Sequence, residues 1–127
     1  MIVPYMKELN DHIHSKGRYV TLHSCGHGEA RVQCFIDAGF DAWDPQIMND
    51  TARLWENYGD QICISVVPEL YDPETTSEEE QRRRGREYAE RFSMPGRSAQ
   101  LGHYAGPVLT QTFTDEVYAQ SRKIFLK

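Results

Sequence analysis

An α/β fold is the expectation from this sequence, and within that class part of a (β/α)8 barrel: four strand–helix units preceded by one helix. Three observations lead there. Stretches with apolar residues at helical spacing alternate with short extended runs along the whole chain. The clearest strand, Gln61 to Val67, contains Ile-Cys-Ile-Ser-Val-Val and is nearly apolar throughout, as suits a parallel strand covered on both faces. Gly17, Gly39 and Gly59 stand where successive helices should stop. Four such units are half of an eight-stranded barrel, so residues 1–127 read as a single half-barrel domain with open strand edges.

The elements follow in order. Pro4 to Ser15 reads as a helix, with Tyr5, Met6, Leu9 and Ile13 at spacings of three and four; His12 and His14 are two apart, share no face, and read as solvated. Arg18 to His23 is the first strand. A helix from Glu29 to about Ala38 carries Val32, Phe35 and Ile36 on its inner stripe, with Cys34 as a small packed thiol. Asp41 to Trp43 is a short second strand closed by Asp44-Pro45, and Asp50 caps a helix running to Tyr58. After the third strand comes a Pro-, Asp- and Thr-containing loop from Pro68 to Thr76. Ser77 with Glu80 three positions later forms a capping box for a helix from Glu78 to Phe92. Ser93 to Gly102 reads as irregular, Val108 to Thr112 as the fourth strand, and Asp115 to Leu126 as the last helix.

Length allows one domain with a core and is too short for two. Apolar residues make up 39% and aromatics 11%, which places the chain among globular proteins rather than disordered ones. Fourteen basic against nineteen acidic residues give a net charge of -5, which argues against a nucleic-acid binder. The basic cluster Arg82-Arg83-Arg84 with Arg86 follows Glu78-Glu79-Glu80 and reads as a charge-laced helix surface. No run is long enough to span a bilayer, and Met1-Ile-Val-Pro lacks a signal-peptide pattern, so the expected location is cytoplasmic, with no membrane partner. Three cysteines, Cys25, Cys34 and Cys63, form no disulfide framework, and the odd count suits a reducing compartment.

The chemistry concentrates in Tyr19-Val-Thr-Leu-His-Ser-Cys-Gly26. Residues two apart on a strand point to one side, so His23 and Cys25 can aim an imidazole nitrogen and a thiolate at one borderline-soft ion such as zinc. The alternative is a packed strand end with a buried cysteine and a backbone-bonded histidine. Trp43, Asp44 and Gln46 follow the second strand at the same end of the sheet and are substrate-pocket candidates, Trp43 being equally suited to the core.

The segment Asp11-His-Ile-His-Ser-Lys-Gly17, followed by His23-Ser-Cys-Gly26, Ala38-Gly39-Phe-Asp41, Tyr58-Gly59-Asp60 and the closing helix, resembles the C-terminal half of the uroporphyrinogen decarboxylase superfamily. The resemblance runs from about Tyr5 to Lys123 and is closest to the cobalamin-linked methyltransferase branch of methylcobalamin:coenzyme M type. It implies the last four strand–helix units of a TIM barrel. It also implies a zinc ion held by the motif's histidine and cysteine, carried here by His23 and Cys25, and by a second cysteine in the loop after the last strand. That second cysteine is missing: Ala105-Gly-Pro-Val108 stands about where it belongs, Cys63 is too early, and His103 or Glu69 are the candidate replacements.

What the resemblance implies for function is methyl transfer from a corrinoid, carried on a partner protein, to a zinc-bound thiol, in a half-domain inactive alone. The implied assembly is a homo-oligomer or a pairing with a complementary N-terminal half-barrel chain. The alternatives are a non-catalytic self-associating remnant and, further off, uroporphyrinogen decarboxylase activity in porphyrin biosynthesis. In the decarboxylase branch the catalytic aspartate and propionate-binding arginines lie in the first half of the barrel, which has no counterpart in these residues.

Overall fold

The structure is a computed structural model that describes residues 2–127. Helix α1 (Val3–Ser15) leads into β1 (Thr21–Ser24); a 3-10 turn at Glu29–Arg31 runs into α2 (Val32–Asp37). Then come β2 (Ala42–Pro45), α3 (Thr51–Tyr58), β3 (Cys63–Val66), α4 (Glu78–Phe92) and β4 (Ala99–Leu101). A second 3-10 stretch at His103–Val108 precedes α5 (Gln111–Phe125). The four strands form one sheet in the order β1-β2-β3-β4, every neighbouring pair parallel. This is the α/β alternation expected. Strand order and parallel pairing make every crossover advance one strand in the same direction, and residues of α2, α3 and α4 share one core with the sheet, as in consecutive units of a (β/α) barrel.

Register separates the two faces. Leu22, Trp43, Ile64 and Ala99 share one row across the sheet, and the same face carries Pro45, Val66 and Leu101. There the core forms: Trp43, Ile64, Val66, Leu54, Val32 and Phe92 are buried together, with Phe35, Tyr88 and Met6 packed against them. The other face holds the row His23, Asp44, Ser65 and Gln100, below it Thr21, Ala42 and Cys63. The sheet is therefore apolar on its helix side and polar or small on the other. The third strand is covered on both faces as expected, Ser65 being as buried as Ile64 and Val66, but the face that carries Cys63 and Ser65 is not apolar.

Caps set the helix boundaries. Asp50, Ser77 and Thr110 each accept a backbone N–H three residues on, from Arg53, Glu80 and Phe113. Helix α4 has the limits that the capping box indicates, and its Glu78–Arg82, Glu80–Arg83 and Glu80–Arg84 pairs make the charge-laced surface.

The fourth strand is elsewhere than expected. Ala99–Leu101 pairs with Ile64–Val66, inside the stretch read as irregular. Val108 instead ends the 3-10 stretch, Thr110 is the α5 cap, and α5 starts at Gln111. Gly106 (φ 52) and Pro107 bend the chain away from a strand there. Two smaller expectations also change. Cys34 is exposed rather than packed. His14 is not simply solvated, because its Nε2 meets Asp41 Oδ2 at 2.8 Å.

Candidate functional site

The C-terminal ends of β1 and β2 carry His23 and Asp44 opposite each other in register. His23 Nδ1 lies 2.9 Å from the Asp44 carbonyl oxygen and 3.4 Å from its Oδ2. A carbonyl oxygen only accepts, so Nδ1 is the ring nitrogen that donates here, and the tautomer with that proton has its lone pair on Nε2. Cys25 Sγ stands 3.6 Å from that Nε2, and both side chains reach solvent. The side-by-side placement expected from their spacing is what the strand end delivers.

The segment after β4 closes over this pair. His103 Nε2 lies 3.5 Å from Asp44 Oδ2, and the His103 ring stacks on Tyr104 with centroids 4.5 Å apart. Tyr104 stacks in turn on His23, its hydroxyl 3.0 and 2.9 Å from the two ring nitrogens. The in-plane directions of those nitrogens diverge, so a hydroxyl equally near both rests on the ring face and leaves the Nε2 lone pair free. The Tyr104 phenol is pushed up, first by partial loss of water and then by Asp44 and Cys25. Asp44 is 6% exposed, and its Oδ1 is buried with no hydrogen-bond partner.

The other sequence candidates fall in different places. Trp43 is fully buried among Phe35 and the sheet core, its Nε1 donating to Ser24 Oγ, so it is core and not pocket wall. Gln46 accepts the Gly26 N–H at 2.8 Å and so braces the loop that follows Cys25. Glu69 is set apart: its carboxylate is 90% exposed, 3.9 Å from Arg84, in a cleft of about 870 Å³ beside α3 and α4 that none of His23, Cys25 or Asp44 lines. Cys63 starts β3, half-buried, and burial pushes its thiol up. Sequence reading missed Tyr104 and Asn49. Tyr104 adjoins His103, but no spacing rule links it to His23; Asn49 looks like an ordinary residue ahead of a helix cap.

Zinc bonds of about 2.05 Å to nitrogen and about 2.3 Å to sulfur at a tetrahedral angle separate the two donors by about 3.6 Å. The observed Cys25–His23 spacing of 3.6 Å fits. The protonated Nδ1 held by Asp44 is the arrangement that orients a metal-ligating histidine. Among the described residues, no three His, Cys, Asp or Glu side chains are grouped closely enough to hold an ion. Here the chain contributes a two-donor pair, which is equally a thiol–imidazole couple. No helix among the described residues is long and apolar enough to cross a membrane.

Fold and site together define a parallel β/α domain with a histidine–thiol pair at the C-terminal end of its first strand, where β/α folds place their chemistry. No protein-family model, curated protein or solved structure matches the chain.

Proposed function

We propose that this chain is the metal-holding half of a zinc-dependent methyltransferase barrel of the uroporphyrinogen decarboxylase superfamily. The support is one observation: a thiol and an imidazole lone pair 3.6 Å apart at a strand's C-terminal end, with the other ring nitrogen fixed by Asp44. Zinc, when bound, supplies the Lewis acidity that favours an acceptor thiolate, which takes a methyl group from a corrinoid. His23 presents Nε2, Cys25 presents its thiolate, and Asp44 keeps the remaining proton at Nδ1. His103, exposed on the segment after β4, stands 3.5 Å from Asp44 Oδ2 and is the further nitrogen donor proposed for the ion. The acceptor's thiol proton would go to water, and the resulting thiolate, held at the ion by His23 and Cys25, would displace the methyl group from the corrinoid. The corrinoid comes on a partner protein.

The sheet edges favour an assembled form. Each outer strand, β1 and β4, has a partner on one side only. Ile2, Tyr5, Leu9 and Tyr19 are exposed on and beside α1, as are Tyr118, Phe125 and Leu126 on α5. A complementary half-barrel chain, or a second copy, covers such edges.

Zinc-free protein equilibrated with zinc and freed of excess metal tests the reading. The expected result is one zinc per chain, lost with Cys25→Ala and retained with Cys34→Ser; zinc content indifferent to Cys25 overturns it. A self-associating module without catalysis is the second reading, favoured by the want of a grouped third donor. An oligomer that holds no zinc at Cys25 selects that reading.

A further inference from the structure

The loop that carries Cys25 has little to hold it locally. Gly26 takes a positive φ of 78°, and the 3-10 turn that follows at Glu29 has no side-chain cap. Its backbone is held from the next strand–helix connection instead. Asn49, only 6% exposed, accepts the Gly28 N–H through Oδ1 at 2.9 Å and donates through Nδ2 to the Gly26 carbonyl at 3.0 Å. The same Nδ2 donates to the Gln46 carbonyl at 2.9 Å, and Gln46 Oε1 accepts the Gly26 N–H. Gly28 is pressed so close to β2 that a Cβ there would stand 2.6 Å from the Trp43 ring.

The segment from Asp44 to Asn49 thus fixes both members of the pair. Its first residue holds the His23 ring, and its last holds the backbone on the far side of Cys25. We infer that Asn49, assisted by Gln46, is a positioning residue that sets the Cys25 thiol at metal-binding distance from His23. This inference rests on the zinc reading above. Metal affinity depends on such outer contacts because donor spacing left to a mobile loop must be bought with conformational entropy at each binding event.

Cobalt(II) titration of zinc-free protein, followed by zinc competition, tests it. Thiolate-to-cobalt absorption reports Cys25 directly. Asn49→Ala is expected to weaken zinc binding about 10–100-fold, the usual cost of losing an outer-shell contact, and to reduce the thiolate band. Asn49→Asp keeps the acceptor for Gly28 but loses both donations, and should fall between. Gln46→Ala, which removes only the Gly26 bond, should weaken binding less than Asn49→Ala and gives a readout if that variant does not fold. Ile62→Val, a core change remote from the loop, controls for stability: at a comparable loss of thermal midpoint it should bind as the unaltered chain does. Affinity within twofold in both Asn49→Ala and Gln46→Ala, or equal weakening in the Ile62→Val control, overturns the inference and leaves the zinc reading standing. Absence of any Cys25-dependent cobalt band in the unaltered chain removes the zinc reading itself.

Discussion

His14 Nε2 and Asp41 Oδ2 meet at 2.8 Å, and the same carboxylate oxygen accepts the Val20 N–H at 2.7 Å. One side chain thereby joins the end of α1, the entry to β1 and the entry to β2. Asp41→Ala removes the acceptor from Val20 as well as the partner of His14. It is expected to cost about 1–3 kcal/mol, the range for stranding a part-buried donor, measured as a shift in urea midpoint at unchanged slope. His14→Ala, which leaves the Val20 bond intact, should cost less; equal losses would show that the backbone bond carries nothing.

The caps of the two long helices differ in what they touch. Ser77 serves only Glu80 N–H of its own helix, while the Thr110 hydroxyl also donates to Gln81 Oε1 at 2.7 Å, tying α5 to α4. Ser77→Ala should cost about 1 kcal/mol. Thr110→Ala should cost more, since Gln81 is 8% exposed and loses a partner for its amide oxygen. Chemical denaturation of both variants gives the order directly.

Glu80 predicts a feature of the acid limb. Arg83, then Arg84, hold its carboxyl from 4.5 down to about 2. A depressed folded-state value means that the stabilisation is complete above pH 4.5 and is lost as pH falls toward 2, because the unfolded chain takes up its proton first. Glu80→Gln should therefore flatten the stability profile in that window and leave the slope above it unchanged. The pairs are solvent-exposed, so the difference is expected to be small and to shrink at high salt.

Assembly should be visible in solution. The open outer edges of β1 and β4 and the exposed apolar residues of α1 and α5 favour at least a dimer. Sedimentation equilibrium across a hundredfold dilution is expected to show mass above that of one chain, and Tyr5→Lys with Leu9→Lys to lower it. A cooperative monomer at every concentration would show that this domain is complete with its edges open.

The parts of this protein legible in the sequence are those governed by near neighbours along the chain. Helix α4 was readable because Ser77 and Glu80 fix its start by a three-residue contact. His23 and Cys25 were readable as a pair because two residues on a strand differ by one pleat. Pairing decided the rest. Ala99–Leu101 has no β-branched run and is a strand because β3 offers it hydrogen bonds, whereas Val108–Thr112 has the composition of a strand but holds the end of a 3-10 stretch and a helix cap. The contacts that give the histidine–thiol pair its geometry, from Asp44, Asn49 and Tyr104, arrive from 21 to 81 residues away through register and loop packing. Local spacing sets which side chains share a face; only the folded sheet sets which faces and loops meet.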